Sequence, residues 1–232
     1  MSTTRTRTHT ETGMSCTPEQ RVTKSLLAYG VVAGPFYVML ALAQALTRDG
    51  FELRRHEWSL LANGDLGWVQ VTNLVLTGLM TVAFAMGVSR ALPTGRGARW
   101  APRLLTAYGV SLVVAGVFRA DPALGFPVGT PEGQGQVSWH GMLHLAAGGV
   151  GFTFAAAACL LIGRRYAVEG HRDWATFSRV TAVVFLAGFA LVASSTGGTV
   201  ANLAFTAAVI LVWAWMAAVA ADRYRGIGRT DG

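Results

Sequence analysis

A chain of 232 residues with 52% apolar and only 13% charged residues, where ordinary globular domains carry roughly 25% charged, has too little charge to cover a soluble domain. With a mean hydropathy of +0.42 it reads as one compact membrane bundle. The same figures exclude a disordered chain, and two cysteines, Cys16 and Cys159, in different kinds of segment exclude a disulfide scaffold.

The first 24 residues, rich in Thr, Arg and Ser, read as a disordered cytoplasmic tail, residues 25–222 as a membrane domain, and 223–232 as a short cytoplasmic tail. A helix rising 1.5 Å per residue needs about 20 uncharged residues to cross about 30 Å of hydrocarbon. Uncharged runs extend over Ser25–Thr47, Leu66–Ser89, Leu104–Phe118, Gly133–Gly163 and Val180–Ala221. The last is broken by Ser194-Ser195-Thr196-Gly197-Gly198-Thr199, which reads as a hairpin hinge and brings the number of spans to six. The third run is short, about 22 Å, so that span must borrow residues from the Trp100-Ala101-Pro102 side, let Arg103 and Arg119 snorkel, or leave Arg119 partly buried. A cleaved signal peptide is the rival reading of the start, because Arg21 and Lys24 precede an apolar run containing Ala43-Gln44-Ala45.

The excess of Lys and Arg, net charge +7, would suggest nucleic acid in a soluble chain. Counted on alternate sides of the spans, 15 of these cations fall with the termini and 4 on the other side, while the acids divide six and six. The positive-inside rule then puts both termini in the cytoplasm, so the charge is topology and anionic-lipid contact. Membrane lipids are the expected partners, nucleic acid is not, and a second copy of the chain stays open as a partner. Eighteen Arg against one Lys, with abundant Ala, Gly and Val, suits a high-GC genome and a bacterial cytoplasmic membrane.

Polar residues gather on the outer side. The first outer loop carries His56, Glu57, Trp58, Ser59 and an Asn63-Gly64-Asp65 turn. Its tryptophans, Trp58 and Trp68, read as interfacial anchors, whereas His56, Ser59 and Asp65 are candidate ligand-binding residues. The second outer loop ends the third span with Arg119 and Asp121, read either as a charge pair or as part of a site. His140 and His144, at i and i+4 on the fourth span, share a helix face, which is the spacing that brings two imidazoles to one metal. Zinc is the candidate ion, and a third ligand such as His56 or Asp121 would have to converge from elsewhere; otherwise the cofactor is unspecified. Both histidines are expected to face the bundle interior, with one in reach of Ser59, Asp65 or Asp121. Gly30-x-x-x-Gly34 and Gly148-Gly149 read as close-packing positions, and Gln44, Asn73 and Asn202 as interhelical hydrogen-bonders. No phosphate loop, nucleophile elbow or zincin motif occurs.

Three motifs in order carry a resemblance. His56 with Ser59-Leu60-Leu61 and Gly64-Asp65-Leu66-Gly67-Trp68-Val69-Gln70, then Asp121-Pro122-Ala123-Leu124-Gly125-Phe126-Pro127, then Ser138-Trp139-His140-Gly141-x-x-His144 resemble the bacterial membrane-protein family known as domain of unknown function 998. The resemblance runs from about residue 25 to 222 and implies a multi-helix integral membrane protein with no established activity. The family's usual pattern has Pro at the position of Glu57 and often an acid at that of Leu145.

The expected fold is thus an all-α integral membrane bundle of six transmembrane helices, N-in and C-in. The leading expectation for function is binding of a lipid or small apolar ligand in an outward-facing cup lined by His56, Ser59, Asp65, Arg119, Asp121, His140 and His144. A membrane-embedded, metal-dependent hydrolase acting on lipid through His140, His144 and His56 is the second reading. A small transporter is the third, disfavoured because no ionisable residue sits at mid-span.

Overall fold

The computed structural model describes residues 16–92, 94–133, 135–195 and 198–228. It contains α1 (Pro18–Thr47), a short 3-10 helix (Trp58–Ala62), α2 (Gly67–Ala91), α3 (Arg96–Val117), α4 (Trp139–Val168), α5 (Arg172–Ala193) and α6 (Thr199–Gly226). All six α-helices are long and apolar enough to cross a membrane, and large apolar side chains such as Met39, Leu79, Val183 and Val200 lie exposed on the bundle's outside, as lipid-facing surface requires. The fold is therefore the expected all-α bundle.

Helix ends follow local chemistry. α1 starts seven residues before the expected boundary at residue 25, because Thr17 and Gln20 close a capping box and Pro18 occupies the first turn, where its missing N–H costs nothing. Residues 1–15 of the expected tail lie outside the described residues. The short third span does borrow length: α3 begins at Arg96 and runs through Pro102. The Ser194–Thr199 break separates α5 from α6 as expected.

Each helix packs on its neighbours in chain order and α6 closes on α1, so the helices form a ring. The start of α1 and the end of α6 lie at one end, where Lys24 Nζ sits 5.4 Å from the Tyr224 ring centre. We call this end proximal. It is tied by Glu169, which bonds Arg223 at 2.8 Å and Arg165 at 2.5 Å. Toward it the ring is filled: Leu27, Phe84, Trp215 and Met216 have no exposed surface.

Between helices the glycines act mainly through closeness. Gly78 on α2 and Gly109 on α3 face each other so tightly that a Cβ on either would strike the other's carbonyl oxygen, at 2.6 and 2.7 Å. Gly30 and Gly34 meet α2 and α6 in the close packing expected of them. Gly148 and Gly149 do not, since a Cβ on them would find only Phe152 and Phe189 at ordinary distance; they leave space. Gln44 donates to Gln70 at 2.9 Å and Asn73 to the Tyr37 carbonyl at 3.1 Å, joining α1 to α2.

Candidate functional site

The distal connections, those between α1 and α2, α3 and α4, and α5 and α6, are fastened to one another. Buried His56 accepts from the Glu52 N–H at Nδ1 (2.9 Å), so its Nε2 carries the proton and donates to the Leu124 carbonyl (2.9 Å). That bond, with Leu124 N–H donating to Gly133 O at 2.8 Å, holds Leu124 at a φ of 57°, a region that a branched side chain enters only when its surroundings fix it. Phe126 packs edge-on against Phe51 and lies beneath the Arg48 guanidinium. Asn202 of α6 donates to the carbonyls of Leu53 and His56 at 2.8 and 3.0 Å, which ties α6 to the first distal loop rather than to another helix.

Asp121 caps α4. Its two carboxylate oxygens accept from the Ser138 N–H (2.7 Å) and hydroxyl (2.6 Å), and the Ser138 hydroxyl in turn accepts from the Gly141 N–H. The negative charge therefore sits over the helix N-terminus, where the dipole favours it. A side chain at Gly141 would collide with that carboxylate, which gives the Ser138-Trp139-His140-Gly141 run a structural reason.

Two expectations are corrected here. Arg119 is exposed and, among the described residues, forms no ion pair, because Asp121 is spent on Ser138. His140 and His144 do not both face inward. His144 is 7% exposed and its Nδ1 lies 2.9 and 3.0 Å from the carbonyls of Ala115 and Phe118, the last turn of α3. His140, one turn higher, has passed the end of α3 and lies exposed against Trp139 and Phe118. Neither is bonded to Ser59, Asp65 or Asp121 among the described residues, although Asp121 acts on His144 through space. Among the described residues no three His, Cys, Asp or Glu side chains gather as a metal donor set. With both ring nitrogens of His56 engaged, the triplet His140, His144 and His56 is not a metal centre in this geometry.

Behind this frame the distal half of the ring encloses a cavity of about 580 Å³, with residues from all six helices in its wall. Tyr108 lies nine residues from the distal end of α3 and Trp213 fourteen from that of α6, so the cavity reaches about 14 to 21 Å below the helix ends, to mid-bilayer depth. Its deep wall is a run of rings: Trp58 to Tyr37 at 5.8 Å, Tyr37 to Trp213 at 5.2 Å, Trp213 to Tyr108 at 5.9 Å. The indole nitrogens of Trp58 and Trp213 are buried, without a partner among the described residues and with almost no accessible surface, so neither offers a donor to the lumen. The polar part of the wall includes Glu57, Ser59, Ser111, Asp121 and His144. Burial pushes the Glu57 carboxyl above the usual range, against the smaller pull of its own backbone N–H.

Of the expected cup residues, Ser59, Asp121 and His144 line this cavity, whereas His56 supports it from behind, and Asp65, Arg119 and His140 lie elsewhere. Asp65 is exposed and acts on Arg48. Trp58, expected at the interface, is 5% exposed and forms wall; Trp68, 65% exposed, does fit an interfacial anchor. The sequence reading missed Tyr37, Glu57, Tyr108 and Trp213. Trp213 offered a signal, since a tryptophan at mid-span lies too deep for the headgroup belt.

A ring of six membrane-length helices around a distal cavity defines a multi-pass helical membrane protein. Residues 31–222 match the family model described as protein of unknown function (DUF998), and the chain belongs to that family. No curated protein and no solved structure matches it.

Proposed function

We propose that the protein binds an amphiphile, apolar body inward and polar group at the rim, in the distal cavity, and that the distal end faces outward from a bacterial cytoplasmic membrane. The cavity carries this reading. Its volume of about 580 Å³ falls in the range of small-molecule sites, about 300 to 1,000 Å³, and its wall passes from aromatic at depth to polar near the mouth. Exposed Leu145 and Val137 belong to the wall, an apolar edge suited to entry from lipid. The 15 to 4 division of Lys and Arg supports the orientation. Reporter fusions after Ala91, Arg165 and Arg225 should then read as cytoplasmic, and fusions after Gly50 and Gly129 as external.

Native mass spectrometry of protein released from a mild detergent should show a bound adduct of lipid or amphiphile mass. Val209→Trp and Thr206→Trp, which fill the lumen, should lose it while keeping wild-type helicity. An undiminished adduct in both filled variants would overturn the reading.

A further inference from the structure

Resting on the reading that the distal cavity binds an amphiphile, the chemistry of its wall goes one step further. We propose that the ligand is cationic, an organic ammonium on an apolar body, with Glu57 as its counter-charge and the aromatic wall as its cage.

Charge is the first ground. Among the described residues the charged members of the wall are Glu57 and Asp121, and no Lys or Arg lines it. This is not for want of cations at the distal end. Arg48 donates to the carbonyls of Leu61 and Asn63, Arg55 pairs with Glu132, and Arg54 and Arg119 are exposed; none of the four lines the cavity. An anionic head, whether fatty carboxylate or phosphate, would meet two acids and no compensating charge.

The two acids differ in what they have left to give. Asp121 already accepts two bonds from Ser138 at the start of α4. Glu57, half-buried, forms no ion pair among the described residues, and its carboxylate has only its own backbone N–H to bond. Its neighbour His56 holds its single ring proton toward Leu124. An ionised carboxylate held from water and without a counter-charge is costly, and an ammonium in the lumen relieves that cost.

The aromatic wall is the second, independent ground. Tyr37, Trp58, Tyr108 and Trp213 form a continuous run of rings, and the two indoles turn no accessible N–H to the lumen. Aromatic faces carry partial negative charge and attract ammonium groups, most strongly where water is excluded. His144 adds to the same bias. With Nδ1 turned to the carbonyls of Ala115 and Phe118, the remaining nitrogen of the neutral ring is an acceptor.

The test uses full-length protein in phosphatidylcholine nanodiscs, with empty nanodiscs as the partition blank. Equilibrium dialysis would measure binding of dodecyltrimethylammonium, dodecanol and dodecanoate, each below its micellar concentration. The cation should bind near one per protein and dodecanoate should not compete. Glu57→Gln should weaken the cation by about 30-fold or more, as loss of one partner of a partly buried charge pair does, and leave dodecanol little changed. If Glu57→Gln fails to fold, Ser59→Lys asks the same question by adding a cation to the wall, and should expel the ammonium and admit dodecanoate. Equal binding of all three probes, or a cation affinity indifferent to both variants, overturns the cationic ligand while the cavity reading stands. Saturable binding of every probe that survives Val209→Trp overturns the cavity reading itself.

Discussion

Replacing Gly141 by Ala sets two effects of opposite sign against each other. Helix propensity alone favours Ala by up to about 1 kcal/mol. In the structure, however, the new methyl would occupy the place of the Asp121 carboxylate, and this short side chain, followed at once by Pro122, has to withdraw. It would give up bonds of 2.7 and 2.6 Å to the Ser138 N–H and hydroxyl, each to a charged acceptor and so each contributing about 1.5 to 3 kcal/mol. Even with one bond replaced by water at the rim, Gly141→Ala should destabilise by about 1 to 2 kcal/mol net. Thermal unfolding in detergent, followed by circular dichroism, would measure it against wild type. Repeating the substitution in an Asp121→Ala background should reverse the sign, since with the carboxylate gone only the propensity gain is left. A Gly141→Ala protein more stable than wild type would refute the capping role of Asp121.

Asn202→Leu should cost about 2 kcal/mol, because it strips the donor from two loop carbonyls, and should speed proteolysis between Leu53 and Trp58. His144→Ala should destabilise by about 2 kcal/mol by opening a void and leaving the α3 carbonyls without a donor, whereas His140→Ala, exposed, should stay within about 0.5 kcal/mol; equal effects would contradict the divergent burial. At the proximal end, burial pushes the Glu169 carboxyl up, but the bonds and charges of Arg223 and Arg165 together outweigh it and hold the group below its ordinary 4.5. A carboxyl so lowered stabilises fully above 4.5, and its contribution is lost as the pH falls through the folded-state value. The Tm advantage of wild type over Glu169→Gln should therefore be constant near neutrality and vanish in acid; an advantage that grows in acid would reverse the assigned sign.

The spans were legible because membrane length and lack of charge are local properties of a chain, and so was the hinge before α6. The fastening of the distal loops was half legible. His56 and Asp121 were too polar to leave beside apolar helices, which says that each must find a partner but not which one. Asp121 found Ser138, seventeen residues on and across a loop, and Arg119, its sequence neighbour but one, went without. The histidine pair failed for a related reason. A shared helix face predicts a shared environment only where the neighbouring helix runs alongside both, and α3 ends at Val117, level with His144 and short of His140. The cavity could not be read at all, since its wall takes residues from all six helices and depends on which helices adjoin in the ring.

The motifs that carry the family resemblance build the frame, although Ser59, Asp121 and His144 among them also line the lumen. His56 ties two loops, Asp121 with Ser138 caps α4, Gly141 makes room for that cap, and His144 engages the end of α3. Glu57 is different, because the resemblance implies Pro as the usual residue at this position. The frame should thus be shared and the charge in the lumen particular to this chain, and Glu57→Pro separates the two. The backbone already suits proline: Glu57 has φ −68° and ψ 148° and precedes the 3-10 helix as its cap, within the range the ring allows. Its carbonyl still accepts from the Leu60 N–H after the change, and no backbone bond to another residue is given up by its nitrogen. Glu57→Pro should therefore fold with a Tm within a few degrees of wild type and retain dodecanol, yet bind dodecyltrimethylammonium no better than the neutral probe. A variant that unfolds would place Glu57 in the frame after all, and one that keeps the cation preference would overturn Glu57 as the counter-charge.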